Sequence, residues 1–354
     1  MGKMLIKNGK IWDGEKFFDA DVLMENGKIQ SISKQTNFDG EFVYDAKGAI
    51  VSAGLIDAHT HIRHISTNVL GIDEWACFPF GVVCAVDAWA EQFNEQVEKS
   101  RLMKTLVFLG TIIENNHIRL DRLEELYALW QGKAIGVKVC FDVAGSDVKD
   151  ITAVKEAVAF AEVHGLKVMV HCNRSPVSTM EIVQTLRKGD ILTHAYHGGQ
   201  NNAGEDGFAC LKYAKEKGVV VDAGFAGHVH TDFGVYQEAL KNGCTPDVIG
   251  SDITLYSAFK RGGRYGLTAC MSIARTSGQD EESIFRAVTS TPAKVFGIDE
   301  EFGYLKEGRP ANVAVLSYQD DVYDLTDAGG NRMQWDKGYR CKLTIINGEV
   351  VFRD

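Results

Sequence analysis

Several features that mark other classes of protein are missing from this sequence. Its apolar runs all fall short of the roughly 20 residues that a membrane-spanning helix needs, and its start, MGKMLIKNGK, lacks the apolar core of a signal peptide. Basic residues are in deficit, because 38 Lys and Arg stand against 48 Asp and Glu, for a net charge of −10. This balance argues against binding to nucleic acid or to an anionic membrane surface. We therefore expect a cytoplasmic protein with a small-molecule substrate.

The eight cysteines show no C-x-x-C spacing, which redox motifs and many zinc sites use. Several lie inside apolar runs, as Cys140 does in AIGVKVCFD and Cys172 does in KVMVHCN. Free cysteine packs as a small hydrophobic residue, and stable disulfides are rare in the cytosol. We expect these side chains to be reduced and buried.

Six polar residues stand in, or at the C-terminal end of, short apolar runs typical of buried strands. They are His59, His61, Lys138, His171, His194 and Asp252. The run VSAGLIDAHTHIR places Asp57, His59 and His61 at alternate positions, so their side chains share one face of a strand. A lone strand histidine is more often a hydrogen-bonded core residue, but a buried lysine such as Lys138 is costly unless its charge is neutralised or paired. Because imidazole and carboxylate groups suit zinc, the whole set favours a site for two divalent ions.

Both ends of the chain carry the signals of small β-hairpins. Asn-Gly pairs at positions 8–9, 26–27 and 347–348 separate strand-like runs, and Asn-Gly accepts the positive φ angles of a type I′ turn. Isolated hairpins are marginally stable in water, which argues against two unrelated terminal hairpins. We predict that residues 1–51 and 305–354 together form one β-sandwich domain.

Between these ends, eight apolar runs alternate with helical stretches. The runs are LIDAHTH, GVVCAVDAW, TLVFLGTI, AIGVKVCF, LKVMVHC, DILTHAY, GVVVDAG and DVIGSDI, each short enough for a strand buried on both faces. A capping box at Ser178–Glu181 and the pair Thr291-Pro292 predict two helix starts. Eight β-α units predict an α/β fold, a (β/α)8 TIM barrel over residues 52–304. Its active site should lie at the C-terminal ends of the strands, where the six polar residues are found.

The segment GLIDAHTH at residues 54–61 resembles the first-strand signature of the amidohydrolase superfamily. Lys138, His171, His194 and Asp252 match that superfamily's metal ligands on strands four, five, six and eight. The stretches HAYHGG, VVVDAGFAGH and PDVIGSDIT resemble its dihydroorotase-like, adenine-deaminase-like or amidohydrolase-deacetylase metallohydrolases. The resemblance covers essentially the whole chain and implies a metal-dependent hydrolase.

The resemblance also implies how the ligands divide between two Zn²⁺ ions. One ion would take His59, His61 and Asp252, and the other would take His171 and His194. A protonated Lys138 is electrostatically excluded beside two dications, and in the resembled superfamily this lysine is N6-carboxylated and bridges both ions. Two such ions can share a metal-bridging hydroxide as the nucleophile. Asp252 would then carry its proton to the leaving nitrogen, with a purely ligating aspartate as the alternative.

Three further residues are predicted to contact the substrate. Arg63 lies two residues beyond His61 and resembles the substrate-carboxylate arginine in the H-x-H-x-R form of dihydroorotases, because a guanidinium binds a carboxylate through two hydrogen bonds. His197 follows the run of strand six, and His228 follows that of strand seven, where His230 is the other histidine able to reach the pocket. A loop salt bridge is the alternative for Arg63, and a solvated loop position is the alternative for both histidines. Unlike some relatives, the chain has no histidine shortly after Asp252, so a relative's substrate does not transfer directly.

The leading hypothesis is hydrolysis of an amide, cyclic amide or ester bond in a small carboxylate-bearing molecule, dihydroorotase-like or N-acyl amino acid deacetylase-like. The alternative is an adenine-type deaminase, although the superfamily's mononuclear deaminases generally lack the strand-four lysine present here as Lys138. A non-catalytic assembly protein, similar to dihydropyrimidinase-like relatives that have lost metal ligands, is less consistent with a complete ligand set. We also expect a homo-oligomer.

Overall fold

The computed structural model describes residues 2–40, 42–62, 76–93, 102–226, 230–254, 257 and 265–354. Two predicted substrate-contacting residues, Arg63 and His228, lie outside this part of the chain. Within it, no helix combines the length and the apolar character that crossing a membrane requires.

The two ends of the chain meet in one eight-stranded sheet. Its strands are β1 (Met4–Trp12), β2 (Phe17–Glu25), β3 (Lys28–Ser33), β4 (Phe42–Asp45), β5 (Ile50–Ala53), β15 (Val313–Thr326), β16 (Arg332–Ile346) and β17 (Glu349–Arg353). Their order is β17-β16-β15-β5-β1-β2-β3, with β4 also beside β1. The antiparallel pair β5–β15 joins the N-terminal and C-terminal strands, and apolar side chains from both groups, such as Val22 and Leu343, form a separate core. The predicted limit at residue 51 falls inside β5, and the domain limits stay predictions.

Two of the three Asn-Gly pairs form the expected hairpin turns. Residues 26–27 connect β2 to β3 and residues 347–348 connect β16 to β17, all with positive φ. The prediction for residues 8–9 was wrong, because this pair lies inside β1, where the register with β2 shifts. One type of β-bulge uses a left-handed residue, as a type I′ hairpin turn does, and Asn8 has φ +57. A Cβ on Gly9 would lie 2.5 Å from Cγ2 of Val51, so this position also needs glycine for close packing.

The central part of the chain forms the predicted barrel. Seven parallel strands of the described residues follow one another in a sheet: β6 (Leu55–Thr60), β7 (Val82–Ala90), β8 (Lys104–Gly110), β11 (Gly136–Cys140), β12 (Lys167–His171), β13 (Ile191–Thr193) and β14 (Val220–Asp222). The segment 248–253 takes the eighth place through parallel bridges from Val248 to Asp222 and from Ile253 to Thr60. The eighth unit therefore closes the ring as a bridged segment rather than as a regular strand.

Helices and one small hairpin fill the connections between barrel strands. The described helices are α1 (Leu120–Trp130), α2 (Thr152–His164), α3 (Thr179–Thr185), α4 (Ala209–Lys217), α5 (Phe233–Lys241), α6 (Leu267–Thr276), α7 (Glu281–Ala287) and α8 (Ser290–Val295), with a short 3-10 helix at Phe78–Phe80 and a hairpin of β9 (Ile113–Glu114) and β10 (His117–Ile118). Ser178 caps α3 as predicted, accepting from the Glu181 N–H at 3.2 Å. The predicted start of α8 was wrong by two residues, because Thr289 is its N-cap and proline is tolerated throughout the first helical turn, where N–H groups lack helical partners.

The long β15–β16 hairpin reaches from the terminal sheet to the barrel. Its strands have 14 and 15 residues, and its tip, residues 327–331, touches the segment after β14. The N–H of Ala328 donates to the carbonyl of Thr231 at 3.1 Å, and the N–H of Phe233 donates to Oδ2 of Asp327 at 2.8 Å. The accessory sheet therefore supports the loop that follows the seventh barrel strand.

Candidate metal centre

The six predicted ligands come together at the C-terminal end of the barrel. They are carried by β6 and the residue after it (His59, His61), β11 (Lys138), β12 (His171), the residue after β13 (His194) and the eighth segment (Asp252). Nε2 of His61 lies 2.8 Å from Oδ1 of Asp252, and Nζ of Lys138 lies 3.0 Å from Nε2 of His59. Most of these side chains line a cavity of about 580 Å³.

A hydrogen-bond network behind His59 fixes the orientation of its ring. Nδ1 of His59 lies 2.9 Å from Oγ1 of Thr193 and 3.1 Å from Oδ2 of Asp222, and the Thr193 hydroxyl donates to the same carboxylate at 2.6 Å. The N–H groups of Gly224 and Gly250 donate to Oδ1 of Asp222 at 3.1 and 2.8 Å. Because Asp222 only accepts, Nδ1 of His59 carries the proton, and Nε2 keeps a lone pair directed at the cluster.

The ring of His194 is oriented by a backbone carbonyl. Its Nδ1 donates to the oxygen of Gly224 at 2.7 Å, and its Nε2 lies 3.9 Å from Oδ2 of Asp252. A Cβ on Gly224 would lie 2.6 Å from this Nδ1, so only glycine allows the approach. His194 has φ +63 and Asp252 has φ +49, a conformation that non-glycine residues rarely adopt. Backbone strain of this kind concentrates at functional sites.

A carboxylate on the far side of His171 distinguishes its two ring nitrogens. Nε2 of His171 lies 3.5 Å from Oδ2 of Asp142, which also accepts from Nη2 of Arg174 at 2.8 Å. Although burial opposes ionisation, His171 and Arg174 hold the pKa of Asp142 below its usual range. Nε2 of His171 therefore faces this carboxylate without a hydrogen bond to it.

Asp252 is positioned from the first barrel strand. The N–H and the hydroxyl of Ser251 donate to the two carboxylate oxygens of Asp57 at 2.9 and 2.5 Å, and the Tyr265 hydroxyl donates to the Ser251 carbonyl at 2.9 Å. The N–H of Asp252 then donates to the carbonyl of His59 at 2.7 Å. Asp57 thus fixes the segment that carries Asp252, while Asp222 performs the corresponding task for His59.

Burial favours the neutral form of three histidines of the cluster. It lowers the pKa of His59 to about 4, and it also lowers the pKa of His171 and of His194. Removal from solvent likewise lowers the pKa of Lys138 to about 8. Burial opposes ionisation of Asp252, but the neighbouring imidazoles of His59 and His61 hold its pKa below the usual range. The cluster therefore combines neutral nitrogen donors with one carboxylate.

The remaining predicted residues have different positions. His197 is buried in the turn after β13, where its Nδ1 accepts from the Gly199 N–H at 3.1 Å, and it is not among the described residues that line the cavity. His230, two residues beyond the predicted His228, does line the cavity. Its Nε2 lies 3.8 Å from Oδ2 of Asp252. The segment GHVH contains both histidines, and a loop sequence does not show which one faces inward.

The profile of the amidohydrolase family matches residues 50–351. This chain belongs to the amidohydrolase family. As an amidohydrolase it is a hydrolase that acts on C–N bonds other than peptide bonds, which confirms the predicted enzyme class. The match runs from the first residue of β5, through the barrel, into β17, the last strand of the terminal sheet.

Curated relatives of this amidohydrolase align along nearly its whole length. It is 27% identical to a deacetylase from Enterococcus faecalis over 98% of both chains. It is 26% identical to a deacetylase from Brucella anthropi over 98% of this chain and 92% of the relative. A dihydroorotase from Aquifex aeolicus is 25% identical over the full length of both chains.

Solved structures confirm the architecture. A crystal structure of a dihydroorotase superposes with a TM-score of 0.86 at 22% identity, covering 100% of this chain and 98% of the other. A crystal structure of an adenine deaminase superposes with a TM-score of 0.85 at 23% identity, covering 99% of both chains. At these identities the likeness establishes the fold, a TIM barrel with an accessory sheet from both termini.

The donor set of the amidohydrolase site fits metal ions. Among the described residues, ligand atoms lie within 4.8 Å of one another in two groups that share one histidine, namely His59, His194 and Asp252, and His171, His194 and His230. Neutral imidazole and carboxylate are the forms that bind divalent metals. In His59 and His194, the hydrogen bond made by Nδ1 places the ring proton there and leaves the lone pair of Nε2 for a metal ion.

Proposed function

We propose that this amidohydrolase holds two divalent ions, Zn²⁺ in the cell, and hydrolyses an amide, cyclic amide or ester bond of a small carboxylate-bearing molecule. The observation that carries this proposal is the convergence of neutral imidazoles, one lysine and one carboxylate on a single cavity. The names deacetylase and dihydroorotase of its relatives support an N-acyl amino acid or a cyclic amide as the substrate class.

Each ion would have its own set of side chains. His59, His61 and Asp252 would hold one ion, and His171 and His194 would hold the other. When bound, the two ions would lower the pKa of a water molecule and polarise the scissile carbonyl. Asp252 would accept the proton of the attacking water and return it to the leaving nitrogen. Because Asp252 is ionised, it is in the form that can accept this proton.

Lys138, as an N6-carboxylated side chain, would be a ligand shared by both ions. In the structure its Nζ contacts an imidazole, His59, at 3.0 Å and a thioether, Met169, at 3.4 Å, neither of which balances a positive charge. Burial favours the neutral amine, the form that adds to carbon dioxide. The addition forms one N–C bond, moves the electron pair of one C=O π bond to oxygen and releases one N–H proton. It thus converts the neutral amine into a carbamate anion suited to two metal ions.

The cavity wall limits the choice of substrate. Trp89, Ile112 and Ile113 supply an apolar side, which fits the hydrocarbon part of an acylated amino acid. Among the described lining residues, Lys138 is the only Lys or Arg. In this proposal Arg63, two residues beyond His61 in the sequence, binds a carboxylate on the substrate. An adenine-type deaminase is the second candidate, because a neutral base would need no such cation.

Metal analysis and a substrate screen test the proposal together. Protein expressed with added bicarbonate should contain about two divalent ions per chain, as two-metal hydrolases do. It should hydrolyse an N-acetyl amino acid, dihydroorotate or a hydantoin faster than it deaminates adenine. Near-zero metal content, or full activity after complete chelation, would contradict the metal-hydrolase assignment.

The substitution Arg63→Met separates the two candidates. Loss of a two-point charged contact should lower kcat/KM about 10- to 100-fold for carboxylate substrates and leave neutral amide analogues nearly unchanged. The control Arg122→Met removes an exposed arginine that pairs with Glu125. Equal losses on charged and neutral substrates, or a preference for adenine, would favour the deaminase. The homo-oligomeric state and the cytoplasmic location stay predictions that light scattering and cell fractionation can check.

A further inference from the structure

His230 enters the cavity from the segment after the seventh barrel strand. Its side chain is 16% exposed, and its Nε2 lies 3.8 Å from Oδ2 of Asp252. Its ring centroid lies 4.3 Å from that of His194 and 4.7 Å from that of His171. His230 therefore stands beside the residues proposed to hold the second ion, although it does not belong to the six-residue set derived from the sequence.

The partner of Nδ1 separates His230 from the other histidines. Nδ2 of Asn173 lies 3.1 Å from Nδ1 of His230. An amide NH₂ group only donates, so Nδ1 accepts and the proton of the neutral ring is on Nε2. His59 and His194 show the opposite arrangement, because their Nδ1 atoms face the acceptors Asp222 and the Gly224 carbonyl. Nε2 therefore has a lone pair in His59 and His194, whereas in His230 it carries a hydrogen.

Neighbouring contacts hold this donor in place. The Thr231 hydroxyl donates to the carbonyl of Phe225 at 3.0 Å, and the N–H of Asp232 donates to the carbonyl of Tyr196 at 3.0 Å. The tip of the β15–β16 hairpin accepts from and donates to residues 231–233. A donor fixed before the reaction needs no reorganisation when charge develops, which is why such groups contribute strongly to catalysis.

We propose that His230 is a further catalytic residue, whose Nε2–H donates a hydrogen bond to the substrate oxygen that becomes negatively charged when the scissile carbonyl is attacked. This assignment rests on the proposed function. It makes His230 a hydrogen-bond donor rather than an additional metal ligand. Water adds to the carbonyl carbon, the C=O π pair moves to the oxygen, and His230 stabilises that oxygen without giving up its proton.

Substitutions at His230 test the donor role directly. His230→Phe keeps a ring but removes both nitrogens, and kcat should fall about 10²- to 10³-fold, as for other donors to a developing oxyanion, with a small change in KM. His230→Gln places an amide donor near the original Nε2 position and should recover most of the activity. His164→Gln, on the distant helix α2, is the matched histidine control. Metal content should remain at the wild-type value in every variant.

Two measurements that do not depend on turnover complete the test. The visible spectrum of the Co²⁺-loaded protein should be the same for wild type and His230→Phe, because no metal ligand is lost. Inorganic phosphate, a tetrahedral anion like the attacked carbonyl, should bind the metal-loaded His230→Phe variant about 10- to 100-fold more weakly than wild type, as expected for loss of one hydrogen bond to a charged group. Loss of an ion or a changed cobalt spectrum would make His230 a ligand and overturn the proposal, as would unchanged phosphate affinity.

Asn173→Asp provides a second test that leaves His230 itself intact. A carboxylate at this position accepts from Nδ1 and moves the ring proton away from Nε2, so kcat and phosphate affinity should fall as in His230→Phe. Unchanged values for both would contradict the assigned tautomer. If wild type hydrolyses none of the screened compounds, the proposed function fails, and the phosphate and cobalt measurements still decide whether His230 is a donor.

Discussion

The substitution Asp222→Asn should damage the metal centre although this residue does not face the cavity. Asp222 accepts four hydrogen bonds, from His59, Thr193, Gly224 and Gly250. Asparagine keeps the shape and one oxygen. That oxygen still accepts from the two glycine N–H groups at the former Oδ1 position, which places the new NH₂ group where Oδ2 contacts His59 at 3.1 Å.

The new amide reverses the proton position on His59. Because an NH₂ group donates, Nδ1 must accept, and the ring proton moves to Nε2, which lies 3.0 Å from Nζ of Lys138 and 3.4 Å from Oδ1 of Asp252. A protonated nitrogen cannot bind a metal ion. Changes to such outer partners of metal-binding histidines lower metal affinity about 10- to 100-fold. The lost charged hydrogen bonds should also lower the free energy of unfolding of the metal-free protein by about 1.5–3 kcal/mol.

Zinc titration against a competing chelator measures the first effect, and thermal unfolding of the metal-free protein measures the second. Asp190→Asn is the matched control, because Asp190 is also buried and binds a backbone N–H and Arg187 at the N-terminal end of strand β13. The control should lose stability but keep zinc affinity. Zinc affinity of Asp222→Asn within about threefold of wild type, below the range typical of such outer partners, would refute the tautomer argument.

Three other substitutions probe the same site. Asp252→Asn should keep the fold and lower turnover about 10²- to 10⁴-fold, the range for a general acid or base; unchanged turnover at full metal content would exclude proton transfer. Lys138→Ala should lower the metal content below two ions per chain and remove most activity, since two dications without a bridging anion repel each other; small carboxylates such as acetate should restore part of it, and an active two-ion variant without them would contradict the bridge. Gly250→Ala places a Cβ 2.3 Å from Cβ of His59, so unfolding measurements should show a loss of about 1–3 kcal/mol, whereas Gly145→Ala, with its nearest contact at 3.5 Å, should be nearly neutral.

The parts of the fold that depend on the local pattern of apolar and polar residues could be predicted from the sequence. Short apolar runs alternating with helices indicated the barrel, and they correspond to β6, β7, β8, β11, β12, β13, β14 and the eighth segment. Turn chemistry was less decisive, because a left-handed Asn-Gly pair serves a hairpin at residues 26–27 and a β-bulge at residues 8–9. A positive φ preference specifies a local conformation, and only the pairing of neighbouring strands shows which structure uses it.

The residues of the cluster stood out in the sequence because buried imidazole and lysine are unusual in apolar strands, and their role as ligands stays a prediction. Asp222 is equally buried, but a single aspartate at the end of VVVDAG has no spacing that signals its role. That role depends on Thr193 and His59, which come from two other strands, so only the closed barrel shows it. His228 was predicted to contact the substrate, whereas His230 lines the cavity, because a loop gives no alternation from which to choose between two nearby histidines.

Each of four histidines in the cluster contacts, through its ring, a group on a different element. Asp222 and Thr193 act on His59, the Gly224 carbonyl acts on His194, Asp142 acts on His171, and Asn173 acts on His230. These partners lie at or just beyond the ends of neighbouring strands. The contacts that orient the rings therefore form only when the barrel is closed. The β15–β16 hairpin also contacts the segment that carries His230. Asp327 at its tip accepts a hydrogen bond from the N–H of Phe233, three residues beyond His230. If His230 is the proposed donor, the accessory sheet from the chain termini helps to hold a catalytic residue, because its hairpin is hydrogen-bonded to Thr231 and Phe233.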